Sequence, residues 1–212
     1  MVNAAFHFGE LGTVAHGAET SRISGGIADE LPPLLRLAVA YAPGPARPAW
    51  TALVLLDHRL SRAVAGASSP LIGQLKLAWW RDRMRESAAR WPAGEPLLAA
   101  LAPFDCERDA LEALVDGWEG LVGEEAEAGA LERLGDARAE AVAALARVLD
   151  CPADRSAIAT LALRWTMPDA ARSGPARLPR ALRPLVILAD APPSGSGVVA
   201  LLRTVRLGMF GR

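Results

Sequence analysis

Lysine is all but missing from this chain of 212 residues: Lys76 is the only one, and arginine carries the remaining positive charge. Aromatics make up 5% of the residues, with a single tyrosine. Strands favour aromatic and β-branched side chains, which are sparse here, whereas the 51% hydrophobic content is dominated by the helix formers Ala and Leu. The composition therefore points to an all-α protein. Cys106 and Cys151 are the only cysteines, with no CxxC pair and no histidine cluster beside them, so they read as idle thiols rather than a redox or metal site. His7, His16 and His58 are scattered, which argues against zinc or non-haem iron. A net charge of −1 argues against nucleic acid as a partner. Nowhere do about 18 apolar residues run without a charge, so no membrane-spanning helix is expected. The opening MVNAAFHFGELGT has neither a basic start nor an uninterrupted apolar stretch, so no signal peptide is expected and the protein is assigned to the cytoplasm.

A chain of this length fits a single domain. Residues 1–28 are rich in Gly, Ala and small polar groups without a sustained apolar period, and are expected to be disordered. Residues 29–190 carry a helical pattern broken by Pro and Gly. "YAPGPARP" at 41–48 precedes a helix over 47–66, and "GASSP" at 66–70 precedes one over about 70–90, with Ser68 or Ser69 as N-cap. "WPAGEP" at 91–96 and "APFD" at 102–105 are further breaks. Leu111, Leu114, Val115, Trp118, Leu121 and Val122 form one stripe of a 3.6-residue helix. Leu131, Leu134, Ala141, Leu145 and Val148 form another, and 154–166 is a further helical segment. Residues 191–212 read as a flexible break, "APPSGSG", followed by a C-terminal amphipathic helix.

Several groups of residues invite a functional reading. Asp105/Asp109, Glu112/Asp116 and Asp136/Glu140 are acid pairs at i, i+4, a spacing that on facing helices can hold magnesium. Glu112 and Asp116 lie opposite an apolar stripe, however, where a solvated face is the simpler reading. In "GQLKLAWWRDRM" at 73–84, adjacent tryptophans on a helix differ by about 100° in direction. One of Trp79 and Trp80 should then be core and the other at a boundary beside Lys76, Arg81 and Arg83, an interface-like composition. Both rings packing the bundle is the alternative. After residue 150 nine arginines face only three acids. There Leu201, Leu202 and Val205, with Arg203 and Arg206 beside them, suit a bilayer surface, a partner groove, or a last helix closing the core. No Ser/His/Asp set, nucleotide loop or metal box is present.

The strings "LIGQLKLAWWRDRM" at 71–84, "EPLLAAL" at 95–101 and "LEALVDGWEGLV" at 111–122 resemble the squalene/phytoene synthase family, above all its short, divergent bacterial members. "YAPGPARPAWTALVLLDHRLSRAV" at 41–64 and "LPRALRPLVIL" at 178–188 fit the same pattern, so the resemblance spans roughly 31–190. It implies a single-domain, isoprenoid-synthase-like helical bundle around a central cavity, truncated relative to full synthases. Active members condense prenyl diphosphates head to head, using two aspartate-rich motifs whose magnesium ions neutralise the diphosphate leaving group.

The chain departs from that pattern at both motifs. Ser61, Arg62 and Ala65 stand where the first motif's acids are expected, and only Asp57 remains, a turn earlier. The second, expected within 160–175, is reduced to Asp169. The resemblance to a non-catalytic branch that includes an assembly factor for respiratory complex I therefore implies a pseudoenzyme scaffold or accessory factor, without cofactor. Its partner would be a protein or a membrane surface, with a peripheral seat at the inner membrane. Two alternatives stay open. One is a prenyltransferase with magnesium held by relocated ligands from Asp57, Glu112 and Asp116. The other is an isoprenoid- or lipid-binding protein with the cavity intact.

Overall fold

Proline opens most of the α-helices among the described residues. The computed structural model describes residues 26–123, 128–168, 170 and 177–190, and every regular element among them is helical. Helices α1 (Pro33–Ala40), α2 (Arg47–Ala65), α3 (Pro70–Arg85) and α4 (Pro96–Leu101) each carry proline in the first two positions. There the missing N–H would have had no intrahelical partner and the fixed φ is already helical. Ser69 caps α3 by accepting from the Ile72 N–H, and Glu95 caps α4 by accepting from Leu97. Four further helices complete the described chain: α5 (Arg108–Glu119), α6 (Ala130–Val148), α7 (Arg155–Thr166) and α8 (Arg183–Asp190). Asp154 caps α7 through the Ser156 N–H.

The helices close into a ring in which α2 has the most neighbours. In order, α1, α2, α3, α5, α6, α7 and α8 pack each on the next, and α8 returns to pack on α1. Helix α2 touches α1, α3, α4, α5 and α6. Its residues from Ala49 to Asp57 are buried without interruption, which marks a helix surrounded on all sides rather than lying on a surface. The Trp50 indole N–H donates to the Ala181 carbonyl at 2.7 Å and so pins the end of the described chain to the central helix.

Three expectations need correction. Ile27 is buried in the core, so folded structure begins inside the 1–28 segment expected to be disordered; residues 1–25 lie outside the described residues. The helix expected over 70–90 stops at Arg85, because Glu86 turns extended (φ −92°, ψ 149°) and a short 3₁₀ turn follows at 88–90. Leu131, read as part of an apolar stripe, is exposed in the first turn of α6, and burial begins in earnest at Leu134.

Candidate functional site

Asp57 is the only acid of α2, and nothing in its helix can satisfy a carboxylate in so dry a place. Its partner comes from α6. Arg138 donates from Nε to Asp57 Oδ1 and from Nη2 to Oδ2, both at 2.9 Å, a two-pronged geometry that fixes both planes. The Trp118 indole of α5 donates to Oδ1 as well, at 3.0 Å. The third guanidinium nitrogen, Nη1, donates to Thr166 Oγ1 at 3.1 Å, and that hydroxyl donates onward to the Ala162 carbonyl. The cation also stacks on aromatic faces, 5.2 Å from the Trp118 ring centroid and 4.3 Å from that of Trp165. Four helices thus converge on one buried ion pair.

Glycine makes the convergence close enough. A Cβ on Gly117 would stand 3.0 Å from the Ala137 Cβ and 3.2 Å from the Leu134 Cα, so α5 and α6 meet backbone to side chain beside Trp118 and Arg138. One turn before Arg138, a Cβ on Gly135 would lie 2.9 Å from Leu163 Cδ1. Arg138 was not singled out from the sequence. The available signal was its place on the α6 apolar stripe, four residues after Leu134 and three before Ala141, where a charged side chain needs a buried partner.

The residues singled out from the sequence fall into two sets. Trp80 lies in the core and Trp79 is exposed, edge to face at 4.9 Å, with the Arg83 guanidinium 5.9 Å over the Trp79 ring. On the other flank of α3, Arg81 pairs with Asp116 at 2.7 Å and with Glu119, and Arg85 pairs with Glu112 at 2.7 Å. The acids of α5 therefore bind arginines of α3, while Trp118 on the same helix turns inward to Asp57. Of the other i, i+4 pairs, Asp105 is engaged with Arg108, and Glu140 with Arg147 and Arg155. Lys76 lines an open cleft of about 420 Å³ between α2 and α3, together with Arg59, Arg62, Trp79 and Trp80. Arg59 is already held by Glu30 and Glu95. Burial, reinforced by nearby Arg62, holds the His58 imidazole below its ordinary pKa despite Asp57 and Glu30. Leu201, Leu202, Arg203, Val205 and Arg206, and likewise Asp169, lie outside the described residues.

Magnesium would need oxygen ligands free to turn toward it. Both oxygens of Asp57 already accept from Arg138, whose positive charge would also repel an approaching cation. Among the described residues no three His, Cys, Asp or Glu side chains gather into a group that could hold a metal ion. The acid set Asp57, Glu112 and Asp116 therefore does not fit a magnesium site. Among the described residues no helix is long and apolar enough to cross a membrane. Compared with known families, residues 35–124 match the model of squalene/phytoene synthase. No curated protein and no solved structure matches the chain.

Proposed function

From the match of residues 35–124 to the squalene/phytoene synthase family model, we propose that the chain is a non-catalytic member of that family, a helical scaffold serving as an assembly or accessory factor. One observation carries the reading. The single carboxylate left on α2 is neutralised by an internal arginine, so the charge that a metal would supply in the chemistry of diphosphate release is built into the protein and turned inward. Arg62, at a position where the resemblance leads one to expect an acid, adds a cation rather than a metal ligand. Such a centre stiffens the bundle and leaves no carboxylate of α2 to hold a metal-bound leaving group. A second reading, a binder of isoprenoid or other anionic lipid without metal, is favoured by the cleft that Arg62, Lys76 and Trp79 line.

Calorimetric titration of the purified chain with farnesyl diphosphate, with and without magnesium, tests both. The scaffold reading expects no binding in either condition. Binding indifferent to magnesium would favour the lipid binder. Magnesium-dependent binding with release of diphosphate, abolished by Asp57→Asn, would overturn both.

A further inference from the structure

Helix α3 has two apolar faces. Its inner one, Gly73, Leu77, Trp80 and Met84, is buried against the bundle. Its outer one carries Leu71 (63% exposed), Leu75 (58%) and Trp79 (41%) at i, i+4 and i+8, with Ile72 (38%) beside them. Four of the five large exposed hydrophobic side chains among the described residues therefore lie on this one helix face. An apolar cluster of this kind, rimmed by polar groups, marks an interaction surface rather than ordinary surface scatter.

The charge along its edge says what it meets. Most described arginines near the patch are matched by acids: Arg59 by Glu30 and Glu95, Arg81 by Asp116, Arg83 by Glu86. Arg62 and Lys76 have no ion-pair partner among the described residues, and both line the cleft whose wall is Trp79. Two unmatched cations, one exposed tryptophan and a leucine ridge match an anionic bilayer: the ridge enters the headgroup–acyl boundary, the indole sits at its level, and the cations reach lipid phosphates. A second copy of the chain on the same face would bring these cations toward one another, which disfavours self-association. Asp82, exposed about one turn beyond Trp79, limits immersion to the part of the ridge before it.

We infer that the outer face of α3 docks on anionic lipid bilayers, with Leu71, Leu75 and Trp79 as the inserted ridge and Arg62 and Lys76 as the phosphate contacts. The assignment does not depend on whether the bundle is catalytic.

The full chain is sedimented with vesicles of phosphatidylcholine alone and of phosphatidylcholine mixed with phosphatidylglycerol. The expected result is retention by the mixed vesicles, weakened by salt, and little by the neutral ones. Leu71→Glu/Leu75→Glu is expected to lower partitioning about tenfold or more. Lys76→Gln and Arg62→Gln are each expected to lower it about fivefold. Both sites are on the outside, so circular dichroism should show unchanged melting, and the glutamine variants read the surface even if the glutamate pair unfolds. Three results would overturn the assignment. The first is no retention of the unaltered chain, and the second is retention indifferent to all of these changes but abolished by Leu201→Glu/Leu202→Glu. The third is an oligomer in solution that Leu71→Glu/Leu75→Glu disperses.

Discussion

Replacing Arg138 by methionine keeps much of the side chain's length and removes the guanidinium. Asp57 is then left with one donor, Trp118, in a place where it is 4% exposed and where Arg138 was 7% exposed. Removing one partner of a buried ion pair costs about 3–5 kcal/mol, because the other charge stays buried without compensation. The lost contacts with the Trp118 and Trp165 rings, about 0.5–2 kcal/mol, act in the same direction. For a chain of this length, a loss of that size lowers the melting temperature by about 6–20 °C. Asp57→Leu alone strands the cation instead and should cost a similar amount. The double variant Asp57→Leu/Arg138→Met removes both charges, and apolar replacement of a whole buried pair is often neutral or stabilising. Urea unfolding of the four proteins, followed by circular dichroism, gives the coupling energy directly, expected at about 3 kcal/mol or more. If Arg138→Met fell within about 1 kcal/mol of the unaltered protein, or the double variant lost the sum of the two singles, the pair would not tie the four helices together.

Gly117→Val sets branched methyls where even a Cβ would meet Leu134 and Ala137, and should cost about 1–3 kcal/mol or more by thermal melting, with the α5–α6 contact loosened. The hydrogen bond from Arg147 holds the Glu107 carboxyl below its ordinary value, against the opposing effect of desolvation. A depressed carboxylate adds stability above its unfolded pKa and loses it as the pH falls through the folded one. Glu107→Gln should therefore be less stable than the unaltered protein near neutrality, by about 0.2–1 kcal/mol, with the gap closing as the pH drops below the ordinary glutamate range; a gap that widens in acid would refute the assignment.

What was legible in the sequence was whatever repeats at short range. Leu111, Leu114 and Val115 announced the inner face of α5, and the rotation between neighbours required Trp79 and Trp80 to part. Which one faced inward was not legible, because α3 is apolar on both sides: Leu77 and Met84 lie inside, Leu71 and Leu75 outside. Asp57 could be picked out only as an acid left over in a family resemblance. Arg138 is one basic residue among 23, and its meaning depends on a carboxylate 81 positions away. No local period encodes that distance. The end of α3 at Arg85 was hidden for a related reason, since neither proline nor glycine stands at Glu86 to announce it.

The tie between Trp50 and Ala181 spans 131 positions. During synthesis at about 5–20 residues per second, the central helix therefore waits roughly 7–26 s after Trp50 is made before its final partner exists. Through that interval the segment Ala49–Asp57, buried without interruption in the finished fold, has only part of its wall around it. The nascent chain must be shielded, by its own early helices or by a chaperone, for longer than small helical bundles take to fold. A rare-codon pause between α5 and α8 would lengthen the exposure and lower the yield of folded protein without changing a single residue.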